Sequence, residues 1–440
     1  MRTRLALTRT RDLTRPLAAA VALLLLGAFG AVGQPVITAF SPTGSIAWSN
    51  AYPTGVCCVL TAPTPVGPWS PWVSTFTTNS RGQLSLPATP PGSFSQLMAT
   101  DVSAGNPSGF GNLTGMYGRL STVAGNGAGG TDTVNYWQPS FEGAYATNVA
   151  LSRPHFALID LWGNVIILDK DSHSVLKVTS DGRIHTVAGT HVMGNGPDTA
   201  SPATNVALNY PNGLWMGPDG AVYILDTGNG KVRWFDTNGV MTTLLTDSAG
   251  ISGGRGLWVR ADRGLAYFVN GGHMEKWTPP SKIIALNTTS FNDPGNLFVK
   301  TNGDLLVTDR GAGRVYLLSA TTGATTPLFG NGGTNRITDG VAATASSLFG
   351  VRAVWPFPAG GWLVGMQDGS QAGLVDAAGT LHLLVNGYEG YHSGDGQWFY
   401  SPGYKISEVR SITMDGAGNI WIVESDNGYV RRIQFLPLTP

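Results

Sequence analysis

The sequence predicts an all-β protein: a small β domain followed by repeated four-stranded sheets arranged as a ring. Three observations carry this. Six residues, ATNVAL, occur at 146–151 and again at 203–208, and the register then holds without a gap at an offset of 57. Along it Pro154 matches Pro211, Gly163 matches Gly220, Asp169 matches Asp226, Val175 matches Val232 and Thr186 matches Thr243. A period of this size marks a solenoid, propeller or array. The second observation is composition. The 440 residues include 60 Gly, 27 Pro and 13 Trp, a mixture of turn formers and aromatics that suits short strands joined by tight turns. The third is that the piece missing from the last repeat stands ahead of the first.

The N-terminus comes first in the chain and reads as a secretion signal. Arg2, Arg4, Arg9, Arg11 and Arg15 form a basic region, Leu17 to Gly33 is an uncharged, mostly apolar run, and Ala31-Val32-Gly33 supplies small residues for cleavage. The competing reading is a retained anchor, for which this run lies at the short limit of a bilayer crossing. The expectation is cleavage, so 1–33 is assigned as signal peptide and the mature chain as secreted, periplasmic or held at the cell surface.

Residues 34–103 are expected to form a small, sandwich-like β domain. Val36 to Phe40, Ser45 to Trp48 and Val56 to Leu60 read as short strands between turn residues. Cys57 and Cys58 are the only cysteines. Adjacent strand residues face opposite ways, so one is expected to be more buried than the other. A strained vicinal disulfide competes with two ordinary small apolar residues. No disulfide framework exists, and packing must hold the fold. The Gly- and Asn-rich stretch 104–118 reads as a linker.

From 119 to 440 the repeat takes over. Each unit runs from a Pro into an apolar strand, a turn ending in Gly, and a second strand ending in an acid or amide. A strand with a basic residue and a fourth strand follow. The turn glycines are Gly163, Gly220, Gly264, Gly303, Gly360 and Gly418, a mean spacing of about 51 residues. The second strands end at Asp169, Asp226, Asn270, Asp309, Met366 and Glu424. The sixth unit stops after its third strand. Its fourth strand, IHTVAG at 184–189 in the first unit, has a counterpart in LSTVAG at 120–125. That strand would complete the last sheet and close a six-bladed β-propeller, removing open edges.

TVAG-x-G, ATNVAL-x-x-P, GNV-x-x-x-D and a V-x-K-V strand together resemble the NHL-repeat β-propellers, most clearly over 146–189, 203–246 and 409–433. The resemblance spans about 320 residues and implies a six-bladed propeller whose ligands bind at one mouth of the axial channel. The domain at 34–103, with ITAFSPTGSIAWSN and GPWS, is similar to β modules that precede such propellers in secreted bacterial proteins.

The position of His155 at that mouth maps to Asn212, Gly256 with Arg255 beside it, Gly295, Arg352 and Arg410. Converging arginines suit carboxylate, sulfate or phosphate, because the planar guanidinium bonds two oxygens at once. The alternative is that they pair with acids such as Asp160 or Asp415, or point into solvent. The acids Asp169, Asp226, Asp309 and Glu424 recur at one repeat position. They are therefore expected to do one structural job, accepting backbone N–H groups of the following turn.

Relatives within the resembled family include an amidating lyase that holds zinc with three histidines and also binds calcium. Among the seven histidines here only His155 occupies an inner-strand position. The zinc pattern is thus unmatched, and no metal or cofactor is expected. No GxSxG or catalytic-cysteine context occurs, so no catalytic residue is assigned. Other relatives bind RNA on a basic face. Here Lys+Arg and Asp+Glu balance at 27 each, and a secretion signal removes the chain from RNA.

Two aromatic insertions break the repeat. One, at 128–142, carries Tyr136, Trp137 and Phe141; the other, at 387–404, carries Tyr388, Tyr391, Trp398, Phe399 and Tyr400. In a closed ring they flank the sixth unit, and one common aromatic rim is expected, able to stack on sugars or peptides; capping of the core is the equal alternative. The function expected is a monomeric binding or scaffold protein. It would recognise an extracellular protein, peptide or glycan, with no nucleic acid and no membrane contact after cleavage. The contacts are His155, Asn212, Arg255, Arg352, Arg410, Tyr136, Trp137, Tyr391 and Trp398. A propeller enzyme, a metal-dependent lyase or hydrolase working at the mouth, is the alternative, and a structural part of an envelope assembly a third.

Overall fold

The computed structural model describes residues 35–41, 44–86 and 94–436, and the stretch 1–33 expected to be a secretion signal lies outside them. The chain divides into two compact units. One takes in the residues up to Gly118 with Phe357–Gly361 and the segment from Gln434; the other takes in Arg119–Pro356 and Trp362–Ile433. No described helix is long and apolar enough to cross a membrane.

Among the described residues the first unit holds two three-stranded antiparallel sheets. One is ordered Val36–Ser41, Ser45–Ser49, Gly82–Ser85; the other Ser70–Thr77, Gly55–Ala62, Phe94–Asp101. In Ser45–Ser49 alternate residues turn inward, so Ile46 and Trp48 meet Cys57, Val59 and Leu97 in one apolar cluster. The central strand GVCCVLTA is buried almost throughout, which corrects the expected contrast between its cysteines. Cys57 and Cys58 are both buried, free thiols. The face opposite the cluster is covered too: Val56 pairs with Phe76 across the sheet, and Phe76 meets Phe357 at 5.5 Å and Phe435 at 5.1 Å. Burial pushes both thiols up to about 12, which keeps them protonated and unreactive. The stretch expected as a linker carries a short helix, Gly109–Thr114.

The second unit is a β-propeller built from six antiparallel sheets. The first runs Pro154–Ile159, Val165–Asp169, Ser174–Val178, Ile184–Gly189, each strand paired with the next. The inner strands Pro154–Ile159, Pro211–Met216, Leu257–Val259, Pro294–Val299, Val351–Pro356 and Val409–Met414 neighbour one another in that order, and the last lies against the first. Thr413 Oγ1 donates to Ala157 O at 2.9 Å across that junction. Tyr117–Ala124 stands as the outer strand of the sheet formed by Val409–Met414, Ile420–Glu424 and Tyr429–Phe435.

The repeated ATNVAL is a packing plug. Ala146–Asn148 and Ala203–Asn205 each form one 3-10 turn. Ala146, Val149 and Leu151 fill the apolar layer between the last and first sheets. Ala203, Val206 and Leu208 fill the layer between first and second, and Ala343 and Leu348 the layer between fourth and fifth. Exclusion of water from these layers is what the repeat encodes.

The turn after each inner strand explains Asp160 and Asp415. Asp160 Oδ1 accepts the N–H groups of Trp162 and Asn164 at 2.9 and 2.8 Å, and Asp415 Oδ1 those of Ala417 and Asn419, both at 2.9 Å. Gly163 closes its turn with φ +84°, a conformation open to glycine. In the third unit Arg263 takes that conformation, with φ +59°, and Arg263 N donates to Arg260 O as Gly163 N donates to Asp160 O. The equivalent of Gly163 is therefore Arg263 rather than Gly264. The shift of one residue puts Arg255, not Gly256, at the position of His155.

Candidate functional site

Four acids at the ends of second strands share one task. Asp169 accepts from Ser152 N at 2.9 Å, Asp226 from Asn209 N at 2.7 Å, Asp309 from Asn292 N at 2.9 Å and Glu424 from Ser407 N at 3.1 Å. Each donor lies 17 residues earlier, in the loop entering the inner strand. The job is structural, as expected, but it clamps the preceding loop; from the following turn Asp309 accepts the backbone Ala312 N–H and Asp226 the side-chain amide of Asn229. Asp226 and Glu424 are further paired with the buried Arg233 and Arg431 at 2.8 and 2.7 Å. Asp169 has no such cation. Burial pushes it up to about 7, against the hydrogen bonds from Ser152 and Ser172.

These clamps orient the loops that aim the ring residues. His155, Asn212, Arg352 and Arg410 are buried, and Arg255 is half-buried. Arg352 forms a two-point pair with Asp293, Nη1 to Oδ1 at 3.1 Å and Nη2 to Oδ2 at 3.0 Å, while its Nε donates to Gln367 at 2.7 Å. Arg410 Nη2 lies 3.3 and 3.2 Å from the two oxygens of Asp426. Arg153 Nε also reaches Asp426, at 2.8 Å, and Arg310 bridges Asp293 and Asp368 at 3.1 and 2.7 Å. The arginines thus do pair with acids, but the acids are Asp293 and Asp426 rather than the turn residues Asp160 and Asp415.

Arg255 differs from the other two. Its carboxylate contact, to Asp293, is 3.8 Å long, and Asp293 already serves Arg352 and Arg310. Its Nε is buried with no hydrogen-bond partner, as is Nε of Arg410. Burial, then the like charges of Arg352 and Arg410, hold the Arg255 guanidinium well below the usual arginine range. Burial likewise brings Arg352 down to about 10, against the pull of Asp293. His155 sits in the same field. Burial first, then Arg410 and Arg255, push it well below the usual histidine range, so the ring is neutral. Its Nδ1 meets Asn212 Oδ1, and its Nε2 has no partner. Glu408 and Asp426 hydrogen-bond to each other; burial raises Glu408, and the bond from Glu408 with the charges of Arg410 and Arg153 lowers Asp426. One proton between two carboxyls leaves the pair with a single negative charge.

Asp293, Asp426, Glu408 and Arg153 were missed, although a register signal for them exists. Arg153, Asp293 and Glu408 each lie two residues before a ring position, and Asp171, Asp368 and Asp426 two residues past the second strand. A charge at each of these places recurs in half of the units, too sparsely to stand out beside ATNVAL.

The aromatic insertions take separate places. Trp137 stacks on His191 at 4.3 Å and meets Phe141 edge-on at 5.8 Å. Both Trp137 and Phe141 pack on the layer between the last and first sheets, the core-capping alternative. The Tyr136 N–H donates to Ser152 Oγ at 2.8 Å. Tyr391 and Tyr388 flank Tyr404 at 6.1 and 5.5 Å. Trp398 bridges to Arg119 beside the outer strand, with the guanidinium 5.7 Å from its ring. It therefore stands at the outer edge of its sheet, the far side from Arg410, because the insertion adds to that edge. A cavity of about 350 Å³ also lies away from the arginines, lined by Tyr145, Thr147, Trp421 and Arg432 among others. Among the described residues no cluster of three or more His, Cys, Asp or Glu could hold a metal ion.

No family model matches the chain, and no curated protein matches it. Solved structures do. A protein of unknown function from Bacteroides thetaiotaomicron is similar over 88% of this chain and 93% of its own, with 12% identity and a TM-score of 0.57. An auxiliary nutrient binding protein from Bacteroides ovatus is similar over 89% and 94%, with 11% identity and a TM-score of 0.53. Another auxiliary nutrient binding protein, from Bacteroides thetaiotaomicron, is similar over 91% and 97%, with 12% identity and a TM-score of 0.52. At such identities the likeness is one of fold, and it covers nearly the whole of each chain.

Proposed function

We propose that this chain is an extracytoplasmic binding protein of the NHL-repeat type. Its six sheets would form a ring closed by residues 120–125, and its channel mouth would anchor an acidic group of a peptide or glycan. Signal 1–33, β domain 34–103 and propeller 119–440 remain the working division, with the mature protein a monomer outside the cytoplasm. The observation that carries the reading is Arg255. A guanidinium with a buried, unpartnered Nε beside two other arginines is an unfavourable arrangement for an empty site and a favourable one for an anion. His155, Asn212, Arg352 and Arg410 complete the mouth, with Tyr136 and Tyr391 as candidate flanking contacts; Trp137 is assigned to packing and the exposed Trp398 to its contact with Arg119. The auxiliary nutrient binding proteins that share the fold make a small-ligand role natural.

The test is calorimetric titration with acidic peptides and acidic oligosaccharides, against neutral counterparts. Acidic ligands should bind, and Arg255→Ala should weaken them at least tenfold while leaving the thermal midpoint within a few degrees. Binding of neutral and acidic ligands alike, indifferent to Arg255, would overturn the reading.

A further inference from the structure

We infer that the mouth recognises a carboxylate with a hydroxyl beside it, the pattern of a uronic acid residue in an acidic glycan. This rests on the reading of the mouth as an anion-anchoring site and narrows it to one ligand class.

The argument is a count of donors and acceptors. The Nε groups of Arg255 and Arg410 are N–H donors, buried and unpartnered, so whatever meets them must accept. The opposite holds at His155. Its Nδ1 faces the carboxamide oxygen of Asn212, and that oxygen only accepts, so Nδ1 carries the ring hydrogen. The ring lies 3% exposed in the field of Arg410, Arg255, Lys170 and Arg153, which keeps it neutral. Nε2 is therefore a bare lone pair, buried and without a partner, and whatever meets it must donate. A ligand that satisfies the mouth presents an anionic acceptor and a hydrogen donor together.

Sulfate, a phosphomonoester dianion and a simple carboxylate supply the acceptor alone and leave Nε2 unpaired. An unmade bond at a buried polar group costs more than a made one contributes. Charge points the same way. Arg352 and Arg410 each hold a carboxylate, and Glu408 and Asp426 share one proton. Arg255 is left with a distant share of Asp293, so the surplus suits one negative charge. A uronic acid has one carboxylate with ring hydroxyls a few bonds away, each free to rotate about its C–O bond toward a fixed lone pair. The C-terminus of a peptide also has a neighbouring N–H, but that hydrogen is held in the amide plane.

The experiment titrates the purified protein with trigalacturonate, its methyl ester, a hyaluronan tetrasaccharide, tri-alanine and sodium sulfate. Wild type, Arg255→Ala and His155→Leu are compared, and thermal unfolding confirms that each variant folds. The expected result is binding of at least one uronate, a loss of tenfold or more in the methyl ester when trigalacturonate is the ligand, a similar loss in Arg255→Ala, and a severalfold loss in His155→Leu. Should His155→Leu fail to fold, the ester and Arg255→Ala still decide. Tri-alanine or sulfate binding through Arg255 while both uronates fail would overturn the inference and leave anion anchoring standing. If none of the anions binds in an Arg255-dependent way, both fall.

Discussion

Arg352 and Asp293 join neighbouring sheets of the propeller through two N–O contacts of 3.1 and 3.0 Å. Arg352 belongs to the inner strand Val351–Pro356, and Asp293 immediately precedes the inner strand Pro294–Val299. The pair therefore ties the entry of one sheet to the inner strand of the next. Removing Asp293 leaves the buried Arg352 guanidinium without its counter-charge. Asp293→Ala should lower the unfolding free energy by about 3 kcal/mol, read as a lower urea midpoint at unchanged slope.

A sharper case is Asp226 with Arg233, where both side chains are fully buried. Asp226→Ala removes the acceptor for Asn209 N and leaves the buried Arg233 with the exposed Asp198, at 3.4 Å, as its counter-charge, which should cost about 3 kcal/mol. Arg233→Met in the same chain should recover part of that loss, since the buried charge left without its buried partner is then gone. Denaturant unfolding of both single variants and the double variant measures the coupling. Additive losses would argue that the clamp and the ion pair act independently.

Asp169 gives a dependence on pH. It is fully buried, with no cation, and is raised from 3.8 to about 7. A group that binds its proton more tightly when folded adds stability below its unfolded value, and that stability is lost as pH rises through the folded value. Between about pH 4 and pH 7 this residue should therefore make the protein less stable as pH increases. Asp169→Asn keeps an oxygen for Ser152 N and removes the titration. Equilibrium unfolding at pH 5 and pH 8 should show a smaller difference in the variant than in wild type. Glu408, raised as well, contributes to both chains alike and cancels in the comparison.

The strand 117–124 offers a test of the sheet junction. Leu120 is fully buried, and Leu120→Ala should cost about 2–5 kcal/mol. Thr413→Val, which removes the bond to Ala157 O between the last and first inner strands, should cost about 1 kcal/mol. A neutral Leu120→Ala in thermal and urea unfolding would mean that this strand is dispensable to the last sheet.

Much of this architecture is legible in the one-dimensional pattern. The spacing of Pro154, Gly163 and Asp169, repeated in later units, sets strand lengths and turns, because apolar runs and left-handed turn residues act over a few positions. ATNVAL is legible as repetition and became intelligible as packing, since Ala146, Val149 and Leu151 must fill the same gap that Ala203, Val206 and Leu208 fill one sheet later. The recurring acids were legible as structural, but not the loop they hold, because a hydrogen bond over 17 residues depends on where the chain returns.

The sequence by itself determined the all-β class, the repeat and, outside the third unit, its phase, and the register position shared by His155, Asn212, Arg352 and Arg410. These follow from local periodicity, which needs no knowledge of what lies across the fold. Only the tertiary structure decided the partners. It brought Asp293 to Arg352 and Asp426 to Arg410, left Arg255 and His155 with unmatched buried atoms, and put Trp398 on an outer edge. Charge pairing falls off over a few ångströms, and the neighbour at that range comes from the adjoining sheet, 59 residues away, for Arg352 and from beyond the next strand of the same sheet for Arg410.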